Sequence, residues 1–413
     1  MKRVYIYGRG KWCSILEGCL SPNVKILAYI DNFSNENYTH DGVPIIKQDE
    51  IVEGYDYIIV SIMGFAEIKS GLLEKGISGN NIICFFDIKD ADNQIYYSVI
   101  DKYKWRNELL WKYTRDCVIP AIDNLPYEIY TNELRTAGFV PRIAPGDIAI
   151  KEIICNKKSL ARFGDGEFEI MLKRNRARFQ SSTNGLTEKL REIIQSDDDR
   201  VLIAVADNYG RLDKYTDEAA AAIRAYMTLN VRKEHMALLS SERDYYDAYL
   251  SRPYIIYRDK DRRTMSAKFD LLKKIWQSQS VLIVEGEHTR FGVGNDLLFG
   301  VTDIKRIIVP DKNAYNHYQE ILNAVEQYGQ DRLVLAVIGP TATALAYDLT
   351  QKGLWVVDIG QVDTEYEWYL RGTEQRCNIP YKTVSEYADK NVFEEIPDEF
   401  KLEYEKEIIL EII

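Results

Sequence analysis

Six short apolar runs in the second half of the chain constrain its fold more than any other feature. They are Leu160–Phe163, Val201–Ala206, Val281–Val284, Arg306–Val309, Leu333–Ile338 and Leu354–Ile359. Each has the length of a strand, and helical patterns such as Thr264–Trp276, Ala314–Tyr328 and Thr343–Lys352 separate most of them. A strand that is apolar on both sides of its pleat has to be covered on both faces, so the alternation predicts a doubly wound parallel α/β sheet. In that architecture ligands sit beyond the carboxyl ends of the strands, and candidate site residues are sought there.

The chain has 413 residues, too many for one ordinary core. Residues 1–88 alternate strands (Val4–Tyr7, Ile26–Ile30, Tyr57–Ile62, Ile82–Phe86) with helical stretches such as Trp12–Cys19, the pattern of a small Rossmann-like domain. Residues 89–144 form an aromatic-rich helical connector, with Tyr96, Tyr97, Tyr103, Trp105, Trp111 and Tyr113 closely spaced, expected to pack in a core or between domains. Pro141 and Pro145-Gly146 mark the entry to a larger domain over 145–413, whose last residues, from about Glu394, read as a terminal helix. Gly8-Arg9-Gly10 and Asp31 are half of a dinucleotide fingerprint, but Trp12, Cys13 and Ser14 stand where a third glycine belongs. A bound nucleotide and a scaffold or dimerisation role both remain open for this domain.

Composition removes several function classes. Hydrophobic residues make up 46% and charged residues 28%, as in a folded globular protein. A net charge of -11 without a Lys/Arg block excludes a nucleic-acid wrapper and a polybasic membrane anchor. No apolar run approaches the roughly 20 residues of a membrane span, and the first residues read as a strand entering a turn, not as a secretory leader. The six cysteines are scattered without a CxxC pair, so free thiols in a reducing cytoplasm are expected.

Four strand ends carry candidate chemistry. The first is Arg162-Phe163-Gly164-Asp165-Gly166-Glu167. On an extended backbone Asp165 and Glu167 point to one side, and hard carboxylate oxygens suit Mn²⁺ or Mg²⁺. Arg162 could fork onto a phosphate; the alternative is a plain helix start capped by Asp165. The second runs from Glu285 through His288 and Arg290 to Gly292, Gly294, Asn295 and Asp296, a Gly-rich loop able to cradle phosphates, with a His beside two glutamates that could bind metal. The third, Gly339-Pro340-Thr341-Ala342-Thr343, opens a helix with small side chains. The last holds Gln361 and four acids, Asp358, Asp363, Glu365 and Glu367, whose carboxylates are costly unless solvated or used. One of them could deprotonate a sugar hydroxyl.

Taken in order, these segments resemble the GT-D family of bacterial glycosyltransferases over roughly residues 145–390. The family's Arg-Phe-Gly-Asp-Gly-Glu element is matched at Arg162–Glu167, its Gly-Val-Gly-Asn-Asp-Leu-Phe loop at Gly292–Phe299 with one extra leucine, and its Gly-Pro-Thr-Ala element at Gly339–Ala342. Its Asp-Ile-Gly-His…Glu-Tyr-Glu-Trp stretch is matched at Asp358–Trp368, with Gln361 in place of the histidine. The resemblance implies that Asp165 and Glu167 hold a metal and the diphosphate of a UDP-sugar. Arg162, Gly164, Arg290, Gly292, Gly294, Asn295, Asp296, Gly339, Thr341 and Gln361 would then surround the nucleotide-sugar. Glu367 is the preferred catalytic carboxylate, with Glu365 and Asp363 as alternates.

The reading is a metal-dependent glycosyltransferase moving a hexose, glucose first, from a UDP-sugar to a surface glycan, glycoprotein or glycolipid acceptor. A neutral amide at position 361 cannot carry a proton, so a non-catalytic nucleotide-sugar-binding or regulatory protein is the first alternative. An NAD-dependent oxidoreductase acting through residues 1–88 is the second. Association into a homo-oligomer stays open.

Overall fold

The computed structural model describes residues 1–32, 39–40, 42–62, 64–87, 96–174, 180–384 and 395–412. The chain divides into two compact units, Met1–Ile122 and Asp123–Ile413. The expected boundary at 88/89 lies outside the described residues.

The first unit is a six-stranded sheet of β1 (Lys2–Tyr7), β2 (Val24–Ile30), β3 (Thr39–His40), β4 (Val43–Ile46), β5 (Tyr57–Val60) and β6 (Ile82–Cys84). Its order is β3-β4-β2-β1-β5-β6, parallel throughout except for the short β3–β4 pair. Val4, Ile6, Leu16, Ile59 and Ile83 fill its core. β1 turns out of the sheet at Gly8, whose φ of +97° and 2.5 Å spacing from a would-be Cβ to Ile62 leave no room for a side chain. Ser61 ties this turn down through its hydroxyl, which reaches the carbonyls of Tyr7 and Gly8. Asp31 accepts from Arg9 Nε at 3.1 Å. Of the aromatic stretch, Trp105 is buried in this unit's core and its indole N–H donates to the Phe85 carbonyl at 2.7 Å.

The second unit is built on nine strands, β7 (Arg142–Ala144), β8 (Ser159–Phe163), β9 (Val201–Val205), β10 (Asp244–Asp247), β11 (Ser280–Gly286), β12 (Asp303–Val309), β13 (Leu333–Val337), β14 (Trp355–Asp358) and β15 (Ile408–Glu411). They form one parallel sheet in the order β15-β12-β11-β13-β14-β8-β9-β10-β7. All six expected runs are strands, and the three additional ones lie at or near the edges. The β10 sequence, Asp-Tyr-Tyr-Asp, lacks the apolar run that marks a central strand.

The chain end departs from expectation: the helix Asp398–Glu407 gives way to β15, which pairs with β12. What secures it is Arg306, 2% exposed, which donates to Glu285 and Glu407 at 2.6 Å each and lies under the Tyr404 ring. A guanidinium at such depth persists only because both carboxylates meet it, and removing one partner of a buried pair typically costs about 3–5 kcal/mol.

Topology selects one crevice. The chain leaves β8 toward β9 but leaves β14 toward β15 at the far edge, so the loops after these adjacent strands diverge. This is the topological switch point of the sheet, and doubly wound sheets place ligands above the carboxyl ends of the strands at such a point.

Candidate active site

β8 feeds into the helix Asp165–Met171 through Gly164, the N-cap. Asp165 and Glu167 therefore lie in a first helical turn, not on extended backbone, so their Cβ directions differ by about 200° rather than coinciding. Both side chains still lean toward the helix N-terminus. Glu167, not Asp165, caps the helix: its Oε2 accepts from Gly164 N at 2.7 Å. Burial, with the negative charge of Asp358 adding to it, pushes the Glu167 carboxyl up to about 7 against that bond. Asp165 is exposed and makes no hydrogen bond or ion pair with any described residue. An open carboxylate beside one that resists ionisation is a donor set a divalent cation would satisfy.

The helix bearing these carboxylates is held from behind. Phe168 stacks flat on His235, with centroids 3.8 Å apart. His235 is buried and hydrogen-bonded to the hydroxyls of Tyr209 and Tyr226. Burial and then Arg174 push its pKa down to about 3, keeping the ring neutral. Tyr226 also donates to Glu169 of the same helix at 3.0 Å.

Arg162 is committed elsewhere than a phosphate. It donates to Asp358 Oδ1 at 2.6 Å and to Ser251 Oγ at 2.6 Å, joining β8, β14 and the segment after β10. Its guanidinium occupies the space beside Gly360, where a Cβ would come within 2.1 Å, and φ there is +51°. Gln361 accepts from Arg252 at 3.3 Å on the same rim.

The Gly-rich loop is likewise tied to the protein. Asn295 donates to Asp363 at 2.8 Å and Glu367 at 2.7 Å, and Asp296 accepts from Lys273 at 2.9 Å and Tyr366 at 2.6 Å. Gly292 packs on Leu298, Gly294 on Tyr381, and Arg290 donates to the Tyr381 carbonyl at 2.6 Å. Lys382, 3% exposed, closes the group with bonds to Asp363 at 2.8 Å and Glu367 at 3.2 Å. Burial alone would lower the lysine's pKa, but the two carboxylates outweigh it and hold the ammonium charged. Glu365, fully buried, accepts the backbone N–H groups of Tyr254 and Ile255 at 3.0 and 2.8 Å. Gly339 caps the helix Pro340–Gln351, whose Thr341 is buried and donates to Gln180.

Among the described residues one further group, Glu287, His288 and Asp311, has ligand atoms within 4.8 Å of one another. Asp311 already clamps His288 there through Nδ1 at 2.6 Å and its backbone N–H at 3.0 Å.

Residues 160–387 match the family model "Glycosyltransferase GT-D fold", more than half of the chain. The chain belongs to the GT-D glycosyltransferase family. A solved structure described as "the highly conserved domain of unknown function 1792" with "a distinct glycosyltransferase fold" superposes with a TM-score of 0.62 at 32% identity, covering 70% of this chain and 98% of that one. A second, "a new glycosyltransferase" from Streptococcus sanguinis, gives 0.63 at 31%, covering 66% and 100%. Among curated relatives, a probable glycosyl transferase, Gly, of Streptococcus gordonii is 38% identical over 55% of this chain, and glycosyltransferase GlyD of Streptococcus pneumoniae serotype 4 is 34% identical over 65%. The chain spans about a third of the length of each (33% and 32%). Residues 1–83 match a separate model, "C2185-like, N-terminal". No helix among the described residues is long and apolar enough to cross a membrane.

Within this GT-D domain the strand ends beside β8 hold polar residues that sequence reasoning passed over. Asp207 follows β9 and accepts from Lys214, while Asn208 is buried with its Oδ1 unpartnered among the described residues. Asp247 ends β10, and burial pushes its carboxyl up to about 6 despite bonds from Tyr249 N at 2.9 Å and Asp207 N at 3.2 Å. The signal for Asp207 was available, since it comes directly after the Val201–Ala206 run.

Proposed function

We propose that the chain transfers a hexose, glucose being the first to test, from a UDP-sugar to a hydroxyl of a surface glycan, glycoprotein or glycolipid. Mn²⁺ or Mg²⁺ would be held by Asp165 and Glu167. The observation that carries this is Asp165, an exposed carboxylate with no partner among the described residues, at the mouth of the β8/β14 crevice. In the reaction the bond between the anomeric carbon and the diphosphate oxygen breaks. A bond to the acceptor oxygen forms, the hydroxyl proton is released, and UDP departs. A bound cation supplies the charge that the departing diphosphate needs. The chain's own part is to hold the two carboxylates at the helix start, through the Phe168–His235 stack and the Gly164–Glu167 bond, and to present Arg252 and Gln361 across the crevice.

On this reading Glu367, Glu365 and Asp363 are positioning groups, not the acceptor's base, because Lys382, Asn295 and backbone N–H groups occupy them. Arg290, Gly292, Gly294, Asn295, Asp296, Gly339 and Thr341 shape the walls of the nucleotide site, and Arg162 locks its floor. The six free cysteines fit a reducing cytoplasm.

The test is UDP release from UDP-glucose in Mn²⁺ by the full chain and by Asp165→Asn. The variant should lose about 10²–10³-fold in turnover, the size typical of a lost electrostatic stabiliser. Its thermal stability should stay unchanged within about 0.5 kcal/mol, as expected of an exposed side chain. Equal turnover in both proteins sinks the assignment. UDP-glucose binding without turnover in the native chain supports the non-catalytic alternative.

A further inference from the structure

A glycosyltransferase needs a second sugar site beside its donor site, and the ends of β9 and β10 offer one. A cavity of about 280 Å³ lies there, lined by Asp213, Lys214, Tyr257, Arg258, Asp259 and Lys268. That is near the lower end of small-molecule sites, room for a single sugar ring and too little for a nucleotide. Its walls are pre-formed. The loops after β9 and β10 are laced together by an antiparallel Tyr215–Tyr257 bridge and by Thr216 N to Ile256 O (2.9 Å) and Arg258 N to Lys214 O (3.0 Å) bonds.

Register fixes where the cavity stands. Phe163, Val205 and Asp247 lie in one row across β8, β9 and β10. At about 4.8 Å per strand spacing, the end of β10 is roughly 10 Å from the strand that delivers Asp165. The cavity's rear is joined to that row, since Tyr257 donates to Asp247 at 3.5 Å and Lys214 donates to Asp207.

The lining chemistry narrows the ligand. Arg258 is engaged with Asp217 at 2.7 Å, and Lys214 with Asp207. Lys268 is different: half-buried, it lies 4.6 Å over the Tyr257 ring and has no hydrogen bond or ion pair among the described residues. Burial lowers its pKa, the cost of an ammonium without acceptors. It lacks oxygen atoms to donate to. A phosphate would supply them but would meet Asp213 and Asp259 in the same lining. Vicinal hydroxyls accept from an ammonium and donate to carboxylates at once, which satisfies both kinds of wall.

We propose that this cavity binds the sugar ring of the acceptor, a neutral hydroxyl-rich glycoside, with Lys268 as its principal donor and Asp259 and Asp213 as acceptors. The assignment rests on the transferase reading above. The experiment measures binding by the full chain of methyl β-glucoside and methyl N-acetyl-β-glucosaminide, with inorganic phosphate and UDP as comparison ligands. Lys268→Met and Asp259→Asn should each weaken the better glycoside at least tenfold while leaving UDP affinity within twofold. Lys268→Arg, which keeps a cation of similar reach, should restore part of the loss and so excludes simple misfolding. Glycoside affinity unchanged in both variants, absence of glycoside binding to the native chain, or a preference for phosphate would each overturn the proposal. A parallel loss of UDP affinity would assign the cavity to the donor and overturn it too. Failure of the transferase reading shows separately, as absent Asp165-dependent UDP release.

Discussion

Asp165 and Glu367 invite the same reading from sequence, since each is an acid in a helix that follows a parallel strand of one sheet, β8 for the first and β14 for the second. Their surroundings are opposite. Asp165 stands in solvent with no partner among the described residues, whereas Glu367 is 7% exposed and bonded to Asn295, Lys382 and Arg371. Desolvation separates them: a carboxylate taken out of water must be met by compensating charge and donors, and once met it has little left to offer a substrate. The acid with nothing around it is the one available for a cation. An acidic motif at a strand end thus states only that carboxylates are present, and the count of their partners decides whether they act or hold.

The sharpest way to break this contrast is to remove the cation on the Glu367 side. Lys382→Met leaves Asp363 with Asn295 as its remaining side-chain partner among the described residues, and Glu367 with Asn295 and the exposed Arg371. Loss of one member of such a buried group should cost about 3–5 kcal/mol of stability. Urea unfolding would show it as a lower midpoint with an unchanged slope. A variant as stable as the native chain would mean that these carboxylates are neutral or hydrated in the fold, and Glu367 would return as a chemical candidate.

The Glu167 carboxyl gives the next largest effect, this time with pH. Its folded pKa of about 7 lies above the ordinary 4.5 of a glutamate, chiefly because of burial. The fold therefore holds this proton more tightly than the unfolded chain does. Stability from this group is fully present below about pH 4.5 and is lost as pH rises through 7. At 1.36 kcal/mol for each tenfold change in proton affinity, the effect is on the order of 3 kcal/mol. Metal-free protein should show it as a falling melting temperature between pH 5 and 8, and Glu167→Gln should flatten that slope. Added Mn²⁺ should flatten it as well, by supplying the positive charge that the proton otherwise provides. A slope equal in both proteins would locate the titration elsewhere.

Much of the second unit could be read from sequence because its central strands are buried on both faces and appear as unbroken apolar runs; Val201–Val205 and Leu333–Val337 are examples. Edge strands carry no such mark. β10 ends in aspartate at both termini, and β15 follows a charged helix without a turn signal. The Arg162-to-Glu167 segment was located correctly at a strand end, but the destination of each side chain was not legible. Arg162 meets Asp358 196 residues away, and Lys382 lies in a stretch that offered no motif. Spacing along the chain describes local direction, whereas partner choice is made by register across the sheet. For that reason Asp247 came into view only through the fold, two strands from β8, whereas Asp207, one strand away, could have been found at the end of its apolar run.

Glu365 provides the finest test, because it is the most deeply buried of the acids after β14 and anchors a neighbouring stretch of backbone. Its Oε2 receives the N–H groups of Tyr254 and Ile255, the segment that follows Ser251 and Arg252 at the crevice. Glu365→Gln keeps one amide oxygen able to accept both bonds and removes the charge. The exchange of charge-assisted for neutral bonds should cost about 1–2 kcal/mol of stability. Turnover should change less than threefold, because the segment stays anchored and no reacting atom is touched. A fall of a hundredfold or more, with the melting temperature nearly unchanged, would mean that this charge is used in the reaction. The division between acids that act and acids that hold would then run through the helix after β14 rather than between it and β8.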